Sequence, residues 1–112
     1  MPAYLIVHVE VTDWDKYREY MRHTPRIIAD YDGRFLVRGG ESATLEGPEA
    51  SRRVVLIEFP SLERAKAFYH SPDYAKARAI RAGGGEAHIL AIEGYPEAEW
   101  QNVVAASRKE SF

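Results

Sequence analysis

Residues 53–93, RVVLIEFPSLERAKAFYHSPDYAKARAIRAGGGEAHILAIE, contain a complete strand–helix–strand unit. Arg53 to Phe59 (RVVLIEF) is apolar and β-branched, as a strand requires. Pro60-Ser61 then places a hydroxyl immediately before Leu62, Ala65, Phe68 and Tyr69, whose spacing is helical, so Ser61 is expected to cap a helix. Ser71-Pro72 repeats that start signal, a hydroxyl cap followed by a proline at the first helical position, and Tyr74, Ala77 and Ile80 continue the apolar stripe. The helix is therefore expected in two halves. Gly83-Gly84-Gly85 stops it, and Ala87 to Glu93 (AHILAIE) supplies another strand.

Upstream, Ala3 to Val11 (AYLIVHVEV) is almost continuously apolar, which suits a strand covered on both faces. Thr12 and Asp13 offer N-cap oxygens to a helix carrying Trp14, Tyr17, Met21, Ile27, Ile28 and Tyr31 on one side. Pro25 is expected to kink or restart that helix, and Asp32-Gly33 to end it. Arg34 to Arg38 (RFLVR) reads as a strand, and Gly39-Gly40 opens a polar loop that runs to Ser51. The order is βαββαβ. The right-handed crossover rule then gives an α+β, ferredoxin-like domain over residues 1–94: a four-stranded antiparallel sheet in order 4-1-3-2 with two helices on one face. Residues 95–112 form a C-terminal tail, in which Trp100, Val103 and Val104 at helical spacing suggest a short docking helix, a frayed end being the alternative.

In that sheet the face away from the helices would carry Tyr4, Ile6, Val54, Leu56, Leu90 and Ile92, too large an apolar patch to leave in water. A second copy of the chain, related by a two-fold axis, is the simplest cover, so a homodimer through this face is expected.

The 112 residues suit one domain, and 46% hydrophobic with 29% charged residues is the composition of a folded globular chain. Fifteen basic against seventeen acidic residues give a net charge of −2 with no long basic run, which argues against a nucleic-acid partner. No cysteine excludes disulfides, thiolate nucleophiles and cysteine-ligated metals. No apolar run approaches the ~18 residues of a membrane span and the N-terminus lacks a basic leader region, so a cytoplasmic protein without membrane contact is expected. No GxSxG, Walker, GxGxxG or HExxH motif is present, and no cofactor or metal is expected.

The stretches AYLIVHVEVTD (3–13), FLVRGGE (35–41) and IEFPSLERAKAFYHSPDYAKARAIR (57–81) resemble the family known as domain of unknown function 1330, within the dimeric α/β barrel superfamily. The resemblance covers Pro2 to Gly94. It implies two ferredoxin-like protomers packed sheet to sheet and carries no catalytic residues; Arg38, Gly39, Gly40, Tyr69, Ser71, Pro72 and Tyr74 are the positions that match its pattern.

Chemistry has three candidate seats. His8, Glu10, Glu58, Arg34 and His88 share one side of their strands and are expected to converge where the helices begin, with His8 or Glu58 as an acid–base group and Arg34 and His88 among the substrate contacts. The reading preferred to that one is a structural ion pair between Glu58 and Arg34 with the histidines as satisfied core or interface residues. Arg38, Gly39 and Gly40 form the second seat: glycine amides and one guanidinium suited to a small anion, or simply a turn in which Arg38 pairs with Glu41 or reaches across the dimer. Tyr69 and Tyr74 are expected at the rim of a pocket between helices and sheet, core packing being the alternative. Together these predict a small homodimer that binds a small acidic or carbonyl compound. It is read as a cofactor-independent isomerase, lyase or monooxygenase, the alternative being a non-catalytic binding or structural module.

Overall fold

The computed structural model describes residues 1–110. Its elements are β1 (Ala3–Val11), α1 (Trp14–Asp30), β2 (Arg34–Arg38), β3 (Arg53–Phe59), α2 (Leu62–Tyr69), α3 (Pro72–Arg81), β4 (Gly85–Glu93) and α4 (Glu97–Ser107). The strands form one antiparallel sheet in the order β2-β3-β1-β4, the expected 4-1-3-2 arrangement read from the other edge. This is the ferredoxin-like α+β fold.

Local chemistry explains the breaks. Asp13 caps α1 by accepting from the Asp15 and Lys16 amides at 3.1 and 3.2 Å. Pro25 lies inside α1, which runs on over 17 residues, so the helix does not restart there. The Ser61 hydroxyl accepts from the Arg64 amide, and Ser71, buried, accepts from the Tyr74 amide while donating to the Phe68 carbonyl at 2.7 Å. That second cap turns the chain between α2 and α3, as the repeated start signal predicts. Asp32, at φ 63°, occupies the left-handed turn that closes α1. β4 starts two residues earlier than the sequence suggests, because Gly85 pairs with Val11.

Strand alternation separates two faces. Ala3, Leu5, Val9, Val55, Ile57 and Phe59 face the helices and are buried, and Leu5, Val55, Ile57 and Phe59 pack with Ile27, Ile28, Phe68 and Tyr74 in one core. The opposite parity carries Tyr4, Ile6, Leu56, Leu90 and Ile92, and Leu90 and Ile92 remain 58% and 47% exposed. β1 is thus covered on one side by this chain alone. Helix α4 has no buried residue and leaves Trp100 and Val103 exposed. Among the described residues, no helix is long and apolar enough to cross a membrane.

Candidate functional site

The antiparallel register splits the five polar groups expected to converge. His8 stands beside His88 and Val54, whereas Glu58 stands beside Tyr4 and Arg34, four β1 positions away. At ~3.3 Å per residue this separates His8 and Glu58 by about 13 Å. The ends of β1 and β3 lie at opposite ends of the sheet, so α1 and α2 begin at opposite ends too. All five groups share the parity of Tyr4 and Ile6, and therefore the open face. His8 and Glu58 cannot serve as bases inside a pocket beneath the helices.

On that open face the charges satisfy one another. Arg34 Nε donates to Glu58 at 3.0 Å, Arg52 lies 3.5 Å from Glu86 and 3.9 Å from Glu10, and His88 Nε2 lies 2.8 Å from Glu86. The His88 hydrogen bond and the neighbouring Arg52 charge hold the Glu86 carboxyl below its usual range. Among the described residues, no group of three or more histidine, aspartate or glutamate side chains could hold a metal ion.

The helix side differs. Between α1, α2, α3 and the sheet lies a cavity of about 40 Å³, floored by Leu5, Val7 and Ile89 and walled by Tyr17, Tyr20, Tyr69 and Tyr74, with Arg38 and Arg53 at one end. Its lining contains no carboxylate and no histidine. The Tyr20 and Tyr74 hydroxyls meet at 2.8 Å, Arg81 Nη2 reaches Tyr74 at 3.5 Å, and Arg78 Nη1 donates to the Tyr69 hydroxyl at 2.8 Å. Burial raises the Tyr17 hydroxyl above its ordinary pKa despite Arg53 beside it, and burial with the Tyr74 contact raises Tyr20 further. Both are neutral donors at physiological pH. Burial opposes the charge on Arg81, but its tyrosine contacts outweigh that cost and leave it raised.

Arg53 is the group the sequence reading overlooked. It opens β3 opposite Val9, which puts it on the helix side. Its guanidinium lies over the Tyr17 ring at 5.9 Å, and Nη2 approaches the Met21 sulfur at 3.7 Å and the Arg38 carbonyl at 3.4 Å. Its Nε is buried, and no group among the described residues accepts from it. Buried donors of this kind are rare and call for an acceptor. Gly39, at φ +66°, lies against this guanidinium: a Cβ there would run into Arg53 Nη1, so glycine clears the space for it. Gly40 has no such neighbour.

Arg38 reaches the cavity through an irregularity. Arg34 opposes Glu58 and Phe35 opposes Ile57, but the register shifts between Phe35 and Val37, so Arg38 opposes Val55 on the helix side. Simple alternation would have sent it to the open face. There it stacks on Phe35 at 4.5 Å and donates to the Met21 carbonyl at 3.1 Å, with no bond to Glu41. Of the sequence candidates, Arg38, Tyr69 and Tyr74 line the cavity and Gly39 shapes its end, while His8, Arg34, Glu58 and His88 lie across the sheet.

The profile of the family described as domain of unknown function (DUF1330) matches residues 2–95. No curated protein sequence matches the chain. Among solved structures the chain is similar to a protein of unknown function from Rhodopseudomonas palustris, at 17% identity and a TM-score of 0.70, covering 85% of this chain and 83% of that one. It is also similar to SnoaB, a cofactor-independent oxygenase from Streptomyces nogalater, at 8% identity and a TM-score of 0.60, covering 85% and 94%. A dimeric ferredoxin-like protein of unknown function from Bacteroides fragilis aligns at 18% identity and a TM-score of 0.50, covering 83% and 96%. At these identities the likenesses establish the fold.

Proposed function

Starting from the fact that the chain belongs to the DUF1330 family, we propose that it binds a small acidic or carbonyl compound in the cavity beneath its helices, with Arg53 receiving the ligand's acidic oxygen. The observation that carries this reading is the buried Arg53 Nε without an acceptor, in a cavity whose lining offers no carboxylate. Arg53 as a whole is half-buried, but its Nε is shut off from solvent without an acceptor, and a ligand carboxylate or enolate would supply one in a charge-assisted hydrogen bond. Arg38 supports the same charge, and the neutral tyrosine hydroxyls can donate to a second ligand oxygen.

The lining holds no carboxylate or histidine to act as a base, so turnover would depend on the ligand's own acidity. A carbonyl compound acidic enough to lose its α-proton to solvent water would be held as its enolate by the arginines, and that enolate is the species that isomerase or lyase chemistry, or with dioxygen as co-reactant a cofactor-independent oxygenation, would start from here. The working unit is proposed to be a homodimer joined through the open sheet face. The exposed Leu90 and Ile92 support this, as does the description of the Bacteroides fragilis neighbour as dimeric.

Calorimetric titration with octanoate tests the site. Wild type is expected to bind it, and Arg53→Met, which keeps the apolar stem and removes the charge, to bind at least about tenfold more weakly, the scale of a charge-assisted hydrogen bond. Equal affinity in a variant with an unchanged circular dichroism spectrum would remove Arg53 from the site.

A further inference from the structure

Beside the tyrosine cavity the helix side of the sheet is hollow. Ala87 and Ala91 flank Ile89 on the helix-facing side of β4, and where larger side chains would meet α2 they leave a groove of about 410 Å³. Lys66, His70 and Arg81 stand around it, and its lining contains no carboxylate. Leu5, Tyr69 and Ile89 line both spaces, so Tyr69 stands between groove and cavity. Arg81 links them as well, since the Tyr74 hydroxyl it approaches is the one that meets Tyr20. At about 40 Å³ the cavity has room for an acidic head group but not for a chain, which would run out over Leu5 and Ile89 into the groove, and the groove falls within the range of known ligand sites.

We propose that groove and cavity are the two ends of one site, which takes a compound with an anionic group at each end of an apolar chain. This rests on the reading of Arg53 given above: one end meets Arg53, and the other meets Lys66, His70 and Arg81. The fold sets the length. Arg53 is on β3 and the groove lies over β4, with β1 between them, and two strand spacings amount to about 10 Å. The middle of the ligand crosses Leu5 and Ile89 beneath Tyr69, whose hydroxyl is held by Arg78. Tyr69 is then a specificity-determining residue that admits an unbranched chain and excludes a bulky one.

Suberate, the eight-carbon dicarboxylate, and octanoate, its monocarboxylate counterpart, distinguish the two ends by calorimetry. Wild type is expected to bind suberate at least about tenfold more tightly than octanoate, since one further charge-assisted contact is made. Lys66→Gln with His70→Gln, both at exposed positions, is expected to remove most of that advantage, Arg81 keeping the rest, while octanoate, whose carboxylate meets Arg53, keeps its dependence on Arg53. Arg53→Met weakens both ligands. If wild type binds the two equally while octanoate still depends on Arg53, or if the double variant keeps most of the suberate advantage, the two-ended site is wrong and the Arg53 reading survives. If neither ligand binds, or neither depends on Arg53, both readings fail.

Discussion

Arg52 and Arg53 are neighbours in the chain and opposites in the fold. Arg52 projects to the open face of the sheet, where Glu86 and Glu10 lie within 4 Å, whereas Arg53 projects beneath the helices among Tyr17, Met21 and the Arg38 carbonyl, with no carboxylate beside it. The same split divides the other arginines. Arg34 on the open face pairs with Glu58, while Arg38 and Arg81 on the helix side touch aromatic rings and hydroxyls. Paired charges on a wet face mostly organise the surface. The helix-side arginines have no carboxylate partner and are only partly exposed or exposed, Arg53 with a buried Nε that lacks an acceptor, and it is this lack of counter-charge that the proposed ligand would meet.

The largest effect that distinguishes the faces is on stability. Phe68 is 2% exposed and stacks near Phe59 and Tyr74, at centroid distances of 5.2 and 4.7 Å. Phe68→Ala is expected to cost about 3–5 kcal/mol, read from the shift of the urea midpoint. A loss below 1 kcal/mol would mean that the helix side is not the folding core. On the open face the counterpart is Ile92→Glu. It is expected to leave near-ultraviolet circular dichroism unchanged and to lower the mass in light scattering from two chains to one, because it buries a charge in the proposed interface. A wild-type protein that is already monomeric at micromolar concentration would end the dimer proposal.

How much of this contrast the sequence carried depends on which rule governed each residue. Alternation sorted Leu5, Ile57 and Phe59 from Tyr4, Ile6 and Leu90, because period two is a property of the strand itself. The Ser61 and Ser71 caps were legible for the same local reason. The site was not. The position of Arg38 depends on a register shift between Phe35 and Val37 that no residue type announces, and the split of His8 from Glu58 depends on how two non-adjacent strands align. Arg53 could have been found, since its parity matches Val55 and Ile57, but as the first residue of an apolar run it read as a strand boundary. Ala87 and Ala91 carried a signal too: small residues at helix-facing positions of a strand leave room for something else.

A smaller effect comes from the buried hydroxyls. Burial, and then the Tyr74 contact, raise Tyr20 above its ordinary value, and burial raises Tyr17. An unfolded tyrosine ionises near pH 10 while the folded protein keeps these protons, so the unfolded chain binds fewer of them above that pH. Stability is therefore fully present below about pH 10 and falls as the pH rises beyond it. Tyr20→Phe is expected to flatten that alkaline fall, at a cost of about 1 kcal/mol at neutral pH for the lost hydrogen bond. Urea midpoints at pH 8 and pH 11 give both numbers. The same alkaline slope in variant and wild type would show that Tyr20 is not the group responsible.

The smallest effect is expected at Arg34 and Glu58, and that smallness is what separates this pair from Arg53. The two side chains are 71% and 27% exposed, so water screens their 3.0 Å contact. A double-mutant cycle with Arg34→Gln and Glu58→Gln should return a coupling of about 0–1 kcal/mol. Octanoate affinity should be unchanged in all three variants, since both residues lie across the sheet from the cavity. A loss of affinity in Glu58→Gln would put the ligand on the open face and return the site to the acid–base cluster that the sequence first suggests. Unchanged affinity there, beside a tenfold loss in Arg53→Met, would leave the helix side as the only face on which an unpaired charge answers to a ligand.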